Sequence, residues 1–408
     1  MDLVIRNARL FDRLDAPSDI GIANGRIVAI ELAITADAPA YDAGGCLACP
    51  GLIESHIHLD KSRIIDRCTP QDRRSLSPVK GVTPLKPAMS VEDIRTRAAA
   101  TLEQCILHGA TRMRTQVEVD PGIGMRGFEA IQSLSADYRW AIDIEICVFP
   151  QEGLISFPGT DELLLEGLRR GAKVLGGAPR YDTDEAGQIR RIFALAREFD
   201  VDLDIHLDVG NTPDAMNIHL VRELADRYRR GGRVVVGHMA KLSLLPPDQL
   251  AALARQMAAS GIAVTVLPAT DLFLMGRDRD HSVVRGVADA NLLCEHGVNC
   301  SLSSNNILNP ATPYGDCSLI RMANLYANVL QVDRPAALRE CFHMLTSRSA
   351  RLMNLTDYGF KTGNPADVVI IDARTPEQAV AEIARPLAVF KNGKRTVAWQ
   401  RPELIRPN

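Results

Sequence analysis

The sequence predicts an α/β fold: a (β/α)8 barrel of the TIM type with a small β-sandwich built from both chain termini. Apolar strand segments alternate with helical patterns through the middle of the chain, and short strand-like runs fill both ends. A length of 408 residues suits one large barrel and one small accessory unit. We assign residues 1–49 and 357–408 to the sandwich and residues 50–356 to the barrel.

The two ends of the chain carry the strand signals of the sandwich. Near the N-terminus, apolar runs such as Leu3–Ile5 and Ile20–Ile22 are separated by turn residues, which is typical of a β-meander. Near the C-terminus, Ala366–Asp372 is strand-like, and Asn392-Gly393 lies between two further apolar runs. Because Asn-Gly in that setting indicates a hairpin, we expect both ends to join in one sandwich.

Eight strand candidates with helices between them fill the middle of the chain, as a (β/α)8 barrel requires. One strand precedes His56, and the other seven are Thr111–Glu118, Ile142–Phe149, Ala172–Gly176, Leu203–Leu207, Val234–His238, Ile262–Leu267 and Val298–Ser301. Helical patterns include Val91–His108, Asp161–Arg170, Glu185–Phe199, Asp214–Arg230, Pro247–Ser260 and His281–His296. A doubly wound open sheet is the alternative, although no P-loop supports a nucleotide-binding fold.

Composition excludes several classes of function. The formal net charge of −3 gives no reason to expect nucleic acid as a partner. No apolar run reaches transmembrane length and the N-terminus resembles a strand start, so we expect a cytoplasmic protein without a membrane partner. The nine scattered cysteines are typical of reduced core thiols, and Cys46 and Cys49 favour core packing over a redox or zinc site.

Four histidines are expected at one end of the barrel. His56 and His58 are two residues apart on an extended segment, so their side chains point to the same face. His206 and His238 follow the fifth and sixth predicted strands, whose C-terminal ends meet at the mouth of a barrel. An isolated His-x-His pair is more often satisfied in a polar pocket, but four imidazoles at one mouth predict a metal or catalytic site.

The order of the motifs resembles the amidohydrolase superfamily, and within it the cytosine deaminase-like branch. The resemblance covers essentially the whole chain and is carried by Pro50-Gly51 before His56-x-His58-Leu59-Asp60, Phe149-Pro150-Gln151-Glu152-Gly153, His206, Gly237-His238, Asp357-Tyr358-Gly359, Gly363–Asp367 and Lys391-Asn392-Gly393-Lys394. The segment His58–Ser62 is also similar to a triazine-degrading relative in that branch, which has a lysine at the same place.

The resemblance implies a set of roles for these residues. His56, His58 and His206 would bind one divalent ion, Zn²⁺ or Fe²⁺, which activates water for attack on an sp² ring carbon. His238 would hydrogen-bond the attacking water or the intermediate, and Gln151 would contact the edge of a small nitrogen heterocycle. The expected reaction is hydrolysis of a C–N bond, as in a deaminase, an aminohydrolase or a cyclic amidase. Barrels of this family often associate, so we also expect a homo-oligomer.

Two positions depart from the pattern that the resemblance implies. Asn305 stands where the family has an aspartate that touches the metal and takes the proton of the water, and Val209 stands where cytosine deaminase has a glutamate. A carboxamide oxygen can coordinate weakly, but it cannot act as a general base near neutral pH. Three interpretations stay open at this point. Asp208, His238 or Lys61 takes over proton transfer, with Asn305 among the metal ligands; or the metal is weak or displaced and the chemistry altered; or the chain binds a heterocycle without turning it over.

The remaining candidates each have a simpler interpretation. Lys61 would stabilise a substrate oxyanion or shuttle a proton, or would be a solvated charge at the rim. Asp208 would act as an acid or orient His206, or would belong to an ordinary turn. Asn306 would contact substrate or stabilise its loop, and Arg180 would face the mouth and meet an anionic or carbonyl-rich substrate.

Overall fold

The computed structural model describes residues 1–68 and 77–406. Its strands are β1 (Leu3–Leu10), β2 (Arg13–Ala23), β3 (Arg26–Glu31), β4 (Ala40–Asp42), β5 (Leu47–Pro50), β6 (Leu52–Ile57), β7 (Ala110–Glu118), β8 (Asp143–Phe149), β9 (Val174–Gly177), β10 (Asp202–Leu207), β11 (Val234–His238), β12 (Ile262–Val266), β13 (Cys300–Leu302), β14 (Val368–Ile371), β15 (Pro386–Lys391) and β16 (Lys394–Ala398). Its helices are α1 (Val79–Val82), α2 (Val91–Leu107), α3 (Arg126–Asp137), α4 (Thr160–Arg169), α5 (Glu185–Glu198), α6 (Ile218–Arg227), α7 (Pro247–Ala259), α8 (Pro268–Leu274), α9 (Ala290–Glu295), α10 (Leu319–Leu330), α11 (Pro335–His343), α12 (Ser347–Leu352) and α13 (Pro376–Ala381).

Strands β6 to β13 form the barrel, with each strand parallel to the next one along the chain. The first and last strands meet at Ile57 and Asn305, where the Asn305 N–H donates to the His56 carbonyl (3.0 Å) and the His58 N–H donates to the Asn305 carbonyl (2.8 Å). The predicted (β/α)8 barrel is therefore confirmed, and the doubly wound sheet is excluded.

Strands from both termini hydrogen-bond in a second, mostly antiparallel sheet, in the order β16-β15-β14-β5-β1-β2-β3 with β4 beside β1. Alternate residues of its strands face opposite sides: Val368 and Ile370 lie in a core of the sheet's own, whereas Val369 and Ile371 join the core of the barrel. The predicted union of the two chain ends is confirmed, and each face of this sheet is covered by apolar side chains.

Local details differ from the expectations in two places. The strand expected before His56 is divided in two: Leu47–Pro50 form β5 of the terminal sheet, and the barrel strand that carries His56 begins only at Leu52. The helix expected over His281–His296 begins only at Ala290, because the Asp289 side chain accepts from the Leu292 N–H and so caps a later start.

The loop after β7 has glycines at 122, 124 and 127, which is the spacing of a dinucleotide-binding loop. Here one carboxylate oxygen of Asp120 accepts from the backbone N–H groups of Gly122 (2.7 Å) and Ile123 (3.1 Å). These donors are used within the loop, so the spacing does not indicate phosphate binding in this barrel.

Candidate active site

The barrel strands bring the four predicted histidines to one mouth. His56 lies near the end of β6 with His58 just beyond it, His206 lies in β10, and His238 ends β11. Strands β10 and β11 are parallel, with His206 beside Gly237. A Cβ atom at Gly237 would lie 3.2 Å from the His56 ring, so glycine leaves that ring the space it occupies.

Three imidazole nitrogens converge in this mouth. The Nε2 atom of His206 lies 3.2 Å from Nε2 of His56 and 3.0 Å from Nε2 of His58. His56 and His58 are buried and His206 is half-buried, and their ligand atoms lie close enough together to hold one ion.

Hydrogen bonds at the other ring nitrogens decide where the protons sit. The His56 Nδ1 lies 3.2 Å from an Asp204 carboxylate oxygen, and the His206 Nδ1 lies 3.2 Å from the Gly177 carbonyl oxygen. Both oxygens only accept, so they favour the tautomer in which each Nδ1 carries the proton and each Nε2 keeps its lone pair. Lone pairs that face each other repel unless a cation lies between them, so the donor set fits a divalent metal ion.

The protonation states agree with that role. Burial, and then the nearby charge of Lys61, holds the pKa of His58 well below its ordinary value. Burial, together with the neighbouring His56, does the same to the pKa of His206. Neutral imidazoles are the form that binds metal.

Asp204 is a site residue that the sequence argument missed. Its second oxygen lies 3.2 Å from the Arg114 guanidinium, which also pairs with Glu145 (2.6 Å). Burial raises the pKa of Asp204, but His56 and Arg114 more than offset burial and keep that pKa below its usual value. The signal was present, since Asp204 stands two residues before His206 on one strand and so shares its face.

Asn305 lies beside the three histidines with its side-chain oxygen free. Its backbone takes a left-handed conformation (φ 60°), which Asn tolerates better than most residues. The Oδ1 atom is buried and, within residues 1–68 and 77–406, has no hydrogen-bond partner. An amide oxygen of this kind can complete the set of ligands that His56, His58 and His206 provide.

His238 is held by a second missed carboxylate. Its Nδ1 lies 2.6 Å from an oxygen of Asp271, which is fully buried in α8. Since the carboxylate accepts the Nδ1 proton, Nε2 is the nitrogen of His238 left for a ligand. The helix that carries Asp271 was not among the predicted ones, so no pattern in the sequence connected the two residues.

Lys61 is buried rather than solvated at the rim. Its ammonium donates to the Gln151 Oε1 (2.6 Å), lies 3.6 Å from a Glu118 oxygen and sits over the Phe149 ring at 5.1 Å. Lys61 and Gln151, predicted from different parts of the chain, are therefore direct partners.

Asp208, a predicted site residue, binds the start of a helix instead of facing the pocket. Its two carboxylate oxygens accept from the backbone N–H groups of Asn217 (2.8 Å) and Ile218 (3.0 Å), at the start of α6. Its side chain is not among those that line the pocket beside the histidines. The turn interpretation of Asp208 fits these contacts better than a role as a catalytic acid.

A second group of acidic residues lies close to Gln151. Glu118, Asp120 and Glu152 converge in the manner of a cation site, but the ammonium of Lys86 contacts all three of them. Lys86 thus already supplies the positive charge there, and we assign the group a structural role.

The pocket over the histidines contains most of the predicted residues. It is lined by His58, Pro78, Gln151, Arg180, Tyr181, His206, Val209, His238, Thr270, Leu274, Asn305, Asn306 and Ala311. The pocket lining therefore includes three of the four expected metal ligands (His58, His206 and Asn305) and all three expected substrate contacts.

Comparison with known proteins agrees with the fold and the site. Residues 79–397 match the profile of the amidohydrolase family, so this barrel enzyme belongs to that family of hydrolases. The chain is 28% identical over 409 residues to N-isopropylammelide isopropyl amidohydrolase of Pseudomonas sp. (strain ADP), with 96% of each chain covered.

Two solved structures indicate which branch of the family this chain resembles. The crystal structure of 5-methylcytosine deaminase from Klebsiella pneumoniae liganded with 5-fluorocytosine matches with a TM-score of 0.92 and 29% identity, covering 99% of both chains. That of N-isopropylammelide isopropylaminohydrolase from Burkholderia multivorans matches with a TM-score of 0.84 and 27% identity, covering 97% of this chain and 98% of the other. The resemblance to the cytosine deaminase-like branch is thereby confirmed. Among the helices that the structure describes, none is long and apolar enough to cross a membrane.

Proposed function

We propose that this enzyme hydrolyses an exocyclic or ring C–N bond of a small nitrogen heterocycle, using one bound Zn²⁺ or Fe²⁺. The observation that carries the proposal is the convergence of the His56, His58 and His206 Nε2 atoms, with two of their Nδ1 protons engaged elsewhere. The similar proteins support it, because their names describe removal of an amine from a methylcytosine or an ammelide ring.

Each residue at the centre has a definite task in this proposal. The three histidines and the Asn305 oxygen would hold the ion, and Asp204 would fix the orientation of His56. When bound, such an ion acts as a Lewis acid and lowers the pKa of water from about 15.7 towards about 7.

His238 is the residue that we assign to proton transfer. Asn305 cannot accept a proton, and both oxygens of Asp208 are engaged by backbone N–H groups. His238 lines the pocket, and Asp271 orients it with Nε2 free, as a general base requires. Lys61 holds Gln151 in place instead.

Val209 supports a substrate that presents no hydrogen-bonding group to the protein at one edge of its ring. Its side chain lines the pocket where the resemblance implies a glutamate, so that edge meets an apolar surface that cannot donate a proton. Leu274 and Ala311 line the same pocket. An alkylated amine substituent could pack against this surface. With valine in place of glutamate, no buried carboxylate would be left without a hydrogen-bond partner.

Metal analysis joined to activity is the direct test. We expect the purified protein, grown with added zinc or iron, to hold close to one ion per chain and to release amine from amino-substituted pyrimidines or triazines. Chelation should abolish turnover, and the returned ion should restore it. Less than about 0.1 ion per chain would contradict the metalloenzyme, because such sites normally hold their ion tightly.

A second candidate function follows from Asn305 alone. Without the aspartate that the resemblance implies, the same pocket would bind a heterocycle without turning it over. The free Asn305 oxygen and the His238–Asp271 pair favour the enzyme over this alternative.

A further inference from the structure

A second cavity lies between α8, α10 and the segment 303–318 that follows β13. Its volume is about 410 Å³, which lies in the usual range for a small-molecule site, roughly 300–1,000 Å³. None of the four histidines of the candidate active site lines it. Its walls are mostly apolar and include Leu272 and Phe273 of α8, Tyr314, and Met322 and Leu325 of α10.

Aromatic rings form one wall of this cavity. The ring of Phe273 meets the ring of Tyr314 edge to face, with centroids 5.9 Å apart and planes at 89°. Tyr314 is 63% exposed and Leu272 is 38% exposed, although both are large apolar side chains. Exposed apolar surface around a concave site is typical of a place where a ligand binds, and perpendicular rings suit a flat aromatic molecule.

Arg321 supplies the charge of the cavity. Its Nε atom donates to an oxygen of Asp316 (2.8 Å), and both side chains are partly exposed. Within the described part of the chain, its two terminal nitrogens have no hydrogen-bond partner, and no Asp or Glu side chain lines the cavity. The planar fork of a guanidinium matches a carboxylate, whose two oxygens accept two parallel N–H bonds.

We propose that this cavity binds a small aromatic carboxylate. Its ring would lie between Phe273, Tyr314 and Leu325, and its carboxylate would pair with the Arg321 guanidinium. The apolar walls favour burial of the ring, and the single charge on the lining favours an anion over a neutral molecule of the same shape.

Helix α8 is the wall that the cavity shares with the candidate active site. Its Phe273 lines the cavity, whereas its Leu274 lines the pocket over the histidines and its Asp271 holds His238. The cavity separates part of α8 from α10, so a ligand in it adds packing against α8 and restricts the motion of that helix. Occupancy therefore stabilises the contact between Asp271 and His238. The binding site does not depend on the proposed hydrolysis, but the use of this effect in catalysis does.

Two ligands of the same shape test the site by titration calorimetry, without turnover. 2-Naphthoate has an aromatic body and a negative charge, whereas 2-naphthamide has the body alone. We expect one 2-naphthoate per chain, bound at least about tenfold more tightly than 2-naphthamide. Metal-loaded and chelated protein should bind it equally well, because none of the proposed metal ligands lines the cavity. Equal affinity for the two ligands, or binding that is lost on chelation, would overturn the proposal.

Variants place the ligand in this cavity. Arg321→Met should weaken 2-naphthoate by at least about tenfold and leave 2-naphthamide within about twofold. Arg334→Met is the matched control and should keep the native affinity, because Arg334 also pairs with a surface carboxylate, Glu295 (3.5 Å), but does not line the cavity. Leu325→Trp, which fills the cavity, should abolish the binding of both ligands. Native affinity for 2-naphthoate in Arg321→Met would refute the site even if Leu325→Trp does not fold.

A second copy of the chain is the other occupant that the exposed Tyr314 would suit. We expect Tyr314→Ser to weaken 2-naphthoate and to leave the sedimentation coefficient of the protein unchanged. If Tyr314→Ser dissociates an oligomer and the native protein binds no 2-naphthoate, a second copy covers the cavity and the proposal is wrong.

The effect on His238 has its own measurement. In the NMR spectrum of the zinc-loaded protein, the proton between the His238 Nδ1 and Asp271 is identified by its absence from His238→Asn. We expect saturating 2-naphthoate to sharpen this signal, because a restrained α8 slows exchange of the proton with water. An unchanged signal at saturation would refute control of His238 by the cavity. If the signal sharpens but no heterocycle is hydrolysed, the proposed function fails and this inference stands.

Discussion

At the scale of single residues, the site depends on which atoms are already engaged. The Nδ1 atoms of His56 and His206 are hydrogen-bonded to Asp204 and to the Gly177 carbonyl, which leaves each Nε2 available to an ion. The alternation of strands made the four histidines predictable, because strand ends of a barrel meet. Asp271 was not predictable, since it reaches His238 from a helix whose position only tertiary packing defines.

Replacing His238 tests the proton-transfer residue. We expect His238→Asn to lower kcat by roughly 10²–10⁴-fold, the usual contribution of a positioned acid or base. Metal content should not change, because His238 lies outside the three converging nitrogens. His219→Asn, at an exposed position, is the control and should retain full activity. If His238→Asn matches the control, proton transfer belongs to another group.

Asn305→Asp separates the enzyme from the binding protein. The added carboxylate should slow the loss of metal to a chelator, because an anionic oxygen is the stronger ligand. We expect the native chain to be active already and its pH–rate profile to shift in the variant. Activity that is absent from the native chain and appears with Asn305→Asp would show that the native site lacks its base.

Glu54 makes a prediction about pH. Burial raises the pKa of this carboxyl, on β6, to about 7. A raised pKa means that the unfolded chain releases the proton first. The contribution of Glu54 to the free energy of unfolding is therefore fully present below pH ~4.5. It falls by about 3 kcal/mol in total as the pH rises to about 7.

Glu54→Gln removes that dependence, because Gln keeps an acceptor for the Ser304 N–H. In thermal unfolding at one scan rate, the melting temperature of the variant relative to the native chain should rise from pH 5 to pH 7 and then level off. Glu223→Gln, at an exposed position, is the control. A difference that is constant with pH would contradict the buried, titrating Glu54.

At the scale of elements, the strands of the barrel were predicted almost residue by residue, and the loops were not. Predicted Val234–His238 is β11 without change, because a run of buried apolar residues has few other conformations open to it. The segment Thr83–Ala88, by contrast, owes its place to Lys86, whose three carboxylate partners lie on other loops and on β7. No local pattern in the sequence predicts a contact between Lys86 and carboxylates so far away along the chain.

Lys86→Met should therefore destabilise the protein by about 3–5 kcal/mol, since it leaves buried carboxylates without a counter-ion. Burial raises the pKa of Glu118, but Lys86 more than offsets burial and lowers it to about 2. The stability gained from Glu118 is present above pH ~4.5 and is lost as the pH falls towards 2.

The pH dependence identifies the cause. The difference in melting temperature between the native chain and Lys86→Met should be largest near pH 7 and shrink below pH ~4.5, where the carboxylates of the variant become neutral. Lys80→Met, which replaces an exposed lysine of the preceding helix α1, should have little effect. An equal loss at every pH would point to packing in place of charge.

At the scale of the whole molecule, the proposed metal ion would couple the stability of the barrel to the occupancy of its site. The proposed ligands come from β6 and β10 and from the segments after β6 and β13, so an ion bound there would join parts of the barrel that are far apart in sequence. Chelation should lower the melting temperature by several degrees, because an ion at 1,000 times its Kd contributes about 4 kcal/mol. Scanning calorimetry of loaded and chelated protein measures this, and an unchanged melting temperature would argue against an ion at this site.

The seam between the first and last barrel strands has a consequence for how the protein is made. Ser55 and Ser303, which join across it, are separated by 248 residues. During synthesis His56 and His58 leave the ribosome long before Asn305 and the strand that covers them. The half-built barrel therefore exposes an unpaired strand edge to the cell, and the proposed metal centre can be completed only once about three quarters of the chain has emerged.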